Sequence, residues 1–420
     1  MSLHNSLKSL FIIDGLRTPI GSPLRSLKDF SAARLGAVVI QSLLKRNHIS
    51  KRLIDEVILG NVVSAGTAQN LARQAAILGG LPVDVPAFTV NHLCGAGMQA
   101  MILGARAIMC GEKNLVLAGA TESASHNPYL YFGGDEENLY EKKKNVPLSL
   151  FVLPVSKRSS VLNKEIMVGA IESLILDGLW CNLTKKHMGN LADYIATKFK
   201  ISRQAQDYFS LESHRKACLA QDQGKFREEI VPIPVTPSRF FVQDERPRRN
   251  INIEKLFNLP PAFKKTGTVT AVNSSVPCDG AVVLALASWA TVKKERLPVS
   301  ARILGYASVA VPPQEVFTAA IPAIKKCLNQ CKLSLKEMDL FEVSEAFSAQ
   351  AILTQKILRI PDDKMNIWGG DIAMGHPLAA AGVRGVVTLM HALKDQKKKK
   401  GIACVCLGGG GAIALAIEVI

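Results

Sequence analysis

Apolar residues fall into short continuous runs, separated by segments whose apolar positions repeat at helical spacing. The first run, SLFIIDGLRTPIGS, reads as a buried strand entering a Gly/Pro turn. A helix is expected around Ala32–Asn47, a strand at Glu56–Gly60 and a second helix from Asn70. Between Ala87 and Gly119 a strand AFTVNHL ends at Cys94-Gly95-Ala96-Gly97. A helix of small residues then runs to Cys110, and a strand NLVLAGA closes the unit. The C-terminal end repeats this grammar: NIWGGDIAMGHP leads into a small-residue helix from Leu378 to Leu393, then a strand IACVCLGGGG. Helices alternating with strands predict α/β layers with mostly parallel strands. The repeated unit predicts an internal duplication.

The stretch from Glu122 to Pro261 breaks the pattern. It is rich in charge, Tyr and Asn, and helix-like segments such as NLADYIATKFK replace regular strand spacing. It reads as a long insertion folded over the first half, a form that functional lids often take. At 420 residues the chain is too long for one ordinary core. The expected division is 1–121, continued by about 262–290, as a first half; 122–261 as a loop domain covering the active site; and 291–420 as a second half.

Composition narrows the function classes. No apolar run reaches the ~18 residues that cross a bilayer. Met1 to Leu10 lacks the apolar core of a secretory signal, so a cytoplasmic location is expected. The nine cysteines then read as thiols rather than disulfides, and their spacing builds no metal site. Cys404 and Cys406, alternating on one strand, are expected on opposite faces, so that only one serves a given site. The net charge of +16 favours an anionic partner. The basic clusters Lys142–Lys144, Lys185–Lys186 and Lys397–Lys400 are small, and Lys397–Lys400 reads as a solvated turn. Without aromatic interleaving or zinc-finger spacing, nucleic acid is not an expected partner.

Three residues carry candidate chemistry. Cys94 precedes a helix whose free N–H groups and dipole favour a thiolate, and Gly95 and Gly97 would let a substrate approach the backbone. His376 lies between a glycine and a helix start, where it can take a proton from a thiol or hold an oxyanion. Cys406 ends a strand just before Gly408–Gly411. Each alone reads equally as packing or capping; the duplicated frame is what would bring them together.

VNHLCGAGMQA, GGDIAMGHPLAAAG and CLGGGGAIALAIE closely resemble the three signature blocks of thiolases. The likeness continues through DGLRTPIGS, GNVVSAGTAQNLARQAA, His187-Met188-Gly189, GTVTAVNSS and SEAFSAQ, in the family's order along essentially the whole chain. It implies a duplicated, layered αβαβα fold with an inserted loop domain. It implies an acyltransferase that cleaves 3-ketoacyl-CoA with coenzyme A or condenses two acyl-CoA units. By similarity, Cys94 is the acyl-carrying nucleophile, His376 activates it and Cys406 is the acid/base at the acetyl-CoA methyl carbon. Coenzyme A would be a substrate rather than a permanently bound cofactor. It would meet His187, Met188, Ser275, Ala346 and Phe347, with Arg248 near the nucleotide end. A homodimer or homotetramer is implied.

Four departures stand out. Ser344 replaces the Asn that normally positions an oxyanion-hole water. Val276 replaces a glycine after the serine loop. VFTAAIPA, with bulky Phe317, shortens the acyl-pocket stretch, and Ala379 and Ala381 replace Gly and Ser after the histidine. The longer 122–187 stretch contains VPLSLFVLPV, which could contact lipid, a subunit, a long acyl chain or simply the protein's own surface. A diverged biosynthetic condensing enzyme with an unusual acyl-CoA, and a non-catalytic acyl-CoA or lipid-binding protein on the same scaffold, are the competing readings.

Overall fold

The computed structural model describes residues 10–131 and 170–420. VPLSLFVLPV and Lys142–Lys144 lie outside them. Nine strands carry the architecture: β1 (Leu10–Arg17), β2 (Glu56–Gly60), β3 (Ala87–Val90), β4 (Leu115–Glu122), β5 (Gly280–Ser288), β6 (Ala301–Ala310), β7 (Leu340–Val343), β8 (Lys400–Leu407) and β9 (Gly411–Val419). Their order is β7-β8-β9-β6-β1-β5-β4-β2-β3.

That order contains one pattern twice. In the first half β2 runs parallel to β4, β4 antiparallel to β5, and β5 antiparallel to β1. In the second, β7 runs parallel to β8, β8 antiparallel to β9, and β9 antiparallel to β6. β3 extends the first half beside β2, and a single parallel bridge from Phe341 to Met365 is its counterpart. Within the sheet, the described strands of the two halves join where Phe11 and Ile12 of β1 meet Arg302 and Ala301 of β6.

The expectation of mostly parallel strands fails. Helix-linked neighbours are parallel, but β8 and β9 are joined by the tight Gly408–Gly410 turn, which only an antiparallel pair allows. β4 and β5, separated by the long insertion, pair antiparallel as well.

Helices α1 (Ala32–Arg46), α2 (Leu71–Leu78), α3 (Ala96–Met109), α4 (Met188–Lys198), α5 (Arg203–Asp222), α6 (Ala320–Cys331), α7 (Ser348–Leu358) and α8 (Ala381–Asp395) fill the layers. One core packs both sheet halves onto α3 and α8: Ile58, Val116 and Leu284 from one side, Val405, Ile413 and Leu415 from the other. The outer face of the first half covers α1 and α2, and that of the second covers α6. The result is five layers, helix–sheet–helix–sheet–helix. The small residues of α3 make the middle layer possible. A Cβ on Gly97 would lie 2.5 Å from Val383 Cγ1 on α8 and 2.9 Å from the Ala379 carbonyl. Gly95 likewise makes room for Leu407. These glycines therefore admit other parts of the protein, not a substrate.

The insertion packs on the second half as well as the first. α4 contributes Met188, Leu191 and Ile195 to a cluster with Phe317, Phe347 and Cys406. α5 rests against α7 and the turn at Asp371–Met374.

Candidate active site

Cys94 sits between β3 and α3. The strand stops at Val90, and Leu93 turns the chain with φ 51°, a left-handed conformation that costs an ordinary side chain ~1–3 kcal/mol. Two short bonds close the turn: Gly95 N–H to the His92 carbonyl (3.1 Å) and Ala96 N–H to the Leu93 carbonyl (2.8 Å). Cys94 is thereby left half-buried at the head of α3. His376 reaches it from the other half. The turn Asp371–Met374 ends at Gly375, whose φ of 100° swings the chain back, and His376 is stitched to the 276–278 loop through both its backbone groups. Its N–H donates to the Val276 carbonyl at 2.9 Å, and its carbonyl accepts from Cys278 N–H at 3.2 Å. Val276 thus serves the histidine loop directly.

The His376 ring lies beside the Cys94 thiol and hydrogen-bonds Asp371, with Nδ1 3.1 Å from Asp371 Oδ2. Burial works against a charged ring, but the bond to Asp371 and the nearby Cys94 sulfur outweigh it and raise His376 to about 10. Asp371 is fully buried, which favours its neutral form. Arg384, then His376 and Ser344, overcome that and hold it well below the usual carboxylate range. The site therefore contains a chain of alternating partners: Cys94, His376, Asp371, Arg384.

Cys406 ends β8 beside Cys94, 3% exposed. Burial, followed by the nearby Cys94 and Cys404 sulfurs, pushes its thiol well above the usual range, so it holds a proton to give. The expectation for Cys404 was wrong. Side chains on a strand alternate with period two, so Cys404 and Cys406 share a face while Ala403, Val405 and Leu407 take the other. Position along the strand separates them: Cys404 is packed under α6, and Cys406 lies at the open end near Phe317 and Phe347.

Ser344, just after β7, is buried, and its hydroxyl donates to Asp371 Oδ2. It touches the histidine's partner. His187 caps α4, accepting from Gly189 N–H at 3.1 Å, and its ring stacks on Phe263 with centroids 4.8 Å apart. Met188 and Phe347 share the cluster containing Cys406, and Phe347 packs edge-on against Phe317 at 5.1 Å. Ser275 binds the Ala346 carbonyl through both N–H and Oγ, at 3.0 Å each. These residues thus form one wall above Cys406. Arg248 lies elsewhere: exposed, its N–H donates to His214 Nδ1 on α5.

Asp371, Arg384 and Glu122 escaped the sequence reading. Glu122 ends β4 and accepts from Val62 N–H (3.0 Å), Val63 N–H (3.2 Å), Asn61 Nδ2 (2.9 Å) and Ala379 N–H (3.2 Å). The last bond fixes the chain just after His376 to the half that carries Cys94. Only the fold reveals such roles: Glu122 depends on partners distant in sequence, and Asp371 on the turn that folds it back towards His376. Among the described residues no His/Cys/Asp/Glu cluster is arranged to hold a metal, and no helix is long and apolar enough to cross a membrane.

A thiol–imidazole pair set at the seam of two duplicated α/β halves, with a second thiol beside it, is the equipment of an enzyme that works through sulfur. The chain belongs to the thiolase family: the thiolase N-terminal domain matches residues 10–290 and the thiolase C-terminal domain 297–419. It is 39% identical over 415 residues to a probable acetyl-CoA acetyltransferase of Escherichia coli, covering 98% of this chain and 99% of that one. The acetyl-CoA acetyltransferase of Pseudomonas aeruginosa is equally similar over the same shares. The human mitochondrial 3-ketoacyl-CoA thiolase in complex with CoA superposes with a TM-score of 0.88 at 34% identity, covering 99% of this chain and 98% of that one. The protein is a thiolase-type acyltransferase.

Proposed function

We propose that this enzyme carries acyl groups as a thioester on Cys94, cleaving 3-ketoacyl-CoA with coenzyme A or running the same steps backwards. The observation that carries this reading is the meeting of Cys94, the His376 ring and the Cys406 thiol at the seam of the two halves. In cleavage, Cys94 passes its proton to His376 and attacks the 3-keto carbon. The C2–C3 bond breaks, and the departing two-carbon enolate takes the Cys406 proton, leaving as acetyl-CoA. Coenzyme A then gives its thiol proton to Cys406 and attacks the thioester. Cys94 departs and recovers its proton from His376, so both cysteines end as they began.

Coenzyme A as substrate is supported by the human relative, whose structure was solved with CoA. His187, Met188, Ser275, Ala346 and Phe347 are its proposed contacts, and exposed Arg248 is offered for the phosphates at the nucleotide end. Segment 122–261 is read as a loop domain over the site, in keeping with α4 packing on Cys406. A homodimer or homotetramer fits β3, an edge strand with Phe88 exposed.

The test is peptide mass spectrometry after incubation with acetyl-CoA and a 3-ketoacyl-CoA chain-length series, with sedimentation velocity on the same sample. Acyl groups should appear on the Cys94 peptide and vanish in Cys94→Ser. Coenzyme A bound without any acyl-enzyme would instead mark a non-catalytic binding protein. Ser344 committed to Asp371, together with the buried Phe317, favours one second reading, a condensing enzyme for an unusual acyl-CoA. An acylated Cys94 with neither acetoacetyl-CoA nor longer 3-ketoacyl-CoA cleaved would support it.

A further inference from the structure

Asp371 stands five residues before His376, and the turn between them folds it back under the imidazole ring. Its two oxygens have separate partners. Oδ1 accepts from Arg384 Nη2 at 2.9 Å. Oδ2 accepts from Ser344 Oγ and from the Glu345 N–H at 3.2 Å, and lies 3.1 Å from His376 Nδ1. All four side chains involved are at most 4% exposed. An ionised carboxylate only accepts, so the proton on this bond belongs to Nδ1. That leaves Nε2 as the nitrogen free to exchange a proton with Cys94.

We propose that Asp371 is a positioning residue for His376: held by Arg384 and Ser344, it fixes the proton on Nδ1, aims Nε2 at Cys94, and compensates the imidazolium that forms when Nε2 takes the thiol proton. This rests on the reading of His376 as the base for Cys94. A purely structural role as counter-ion to Arg384 would occupy Oδ1 alone. The second oxygen, spent on His376 and Ser344, is what that role leaves unexplained.

The surrounding charges fit the assignment. Glu342 on β7 is pushed up to about 8 by burial, so it holds its proton near neutrality, and burial raises Glu345 as well. Cys406 on β8 and Cys278 in the loop that holds His376 are raised as well, Cys278 to about 12. Glu229, behind Arg384, is bound by Arg17 at 2.6 Å. Arg384 and Asp371 form a buried ion pair beside the ring, and proton transfer from Cys94 adds a second pair of opposite charges alongside it. A low-dielectric site rewards such an alternation and penalises its interruption.

The experiment follows iodoacetamide alkylation of Cys94 by peptide mass spectrometry across pH, with steady-state kinetics alongside. In Asp371→Asn the alkylation rate at about pH 6.5 should drop about 10²-fold, the scale of one general-base contribution, and return towards the parent rate near pH 10 as solvent base replaces His376. The kcat should fall with it while KM for acyl-CoA holds. Ser344→Ala, which removes one bond to Oδ2 and keeps the charge, should move the profile the same way by less. Parent-like profiles in both variants would overturn the proposal. Should Asp371→Asn fail to fold, ¹⁵N spectra of the histidine-labelled parent decide, with His376→Asn for assignment. A proton on Nδ1 supports the proposal, and a neutral ring protonated at Nε2 defeats it. Because alkylation needs no acyl-CoA, a parent that never acylates Cys94 yet shows the Asp371 effect would sink the functional reading and leave this one standing.

Discussion

Cys406 illustrates how burial makes one residue type do two jobs. Cys94 lies half-buried beside the His376 ring, whereas Cys406, enclosed by Phe317 and Phe347, is disposed to keep its proton. Cys406→Ser should still acylate Cys94 from acetyl-CoA. It should exchange the acetyl methyl hydrogens with deuterated water about 10²–10⁴ times more slowly, the usual weight of a general acid/base. Exchange at the parent rate would remove Cys406 from the carbon chemistry. Cys94, His376 and Cys406 could be singled out in the sequence because each sits inside a long signature block. Asp371 was not, although it lies within one of those blocks. Its role depends on Gly375 turning the chain back and on Arg384 arriving from α8, and neither leaves a pattern in sequence. Cys404 was misplaced through the strand period itself, since residues two apart share a face.

At the scale of elements, α3 and α8 meet more closely than ordinary side chains permit, and Gly97 is the point of contact. Gly97→Ala should press a methyl group into Val383 and the Ala379 carbonyl, costing about 1–3 kcal/mol as overpacking. Ala379 is three residues from His376, so acylation of Cys94 should slow as the denaturation midpoint falls. A variant with unchanged midpoint and rate would show that the interface yields freely. The element boundaries were largely readable: Glu56–Gly60 was placed to the residue, and α1 and α3 to within one. Strand direction was not. Alternating helices and strands imply crossovers between consecutive strands, but β1, β5, β6 and β9 pair with strands far from them in sequence, and antiparallel contacts prevail where the halves join.

For the molecule as a whole, the buried carboxyls set a dependence of stability on pH. Glu342 titrates near 4.5 when free, and burial pushes it up to about 8 in the fold, against the pull of Arg384 3.9 Å away. The folded state thus holds this proton more tightly. Its contribution is complete below about pH 4.5 and is lost as pH rises through about 8. Glu342→Gln removes that dependence, so its Tm relative to the parent should climb between about pH 5 and about pH 9. A constant difference across that range would show that Glu342 titrates no differently folded or unfolded.

The strand order has a further consequence, in time rather than energy. β1 is the first strand described, yet both its neighbours, β5 and β6, come roughly 260–300 residues later, and Leu10 pairs with Ser288. At 5–20 residues per second a ribosome needs roughly 15–55 s to deliver the roughly 280 residues between them. For that interval Leu10–Arg17 is an apolar strand with two open edges. Nascent chains of this enzyme therefore need something to shelter their beginning until their middle is made, and the half that carries Cys94 can close only after about two-thirds of the protein exists.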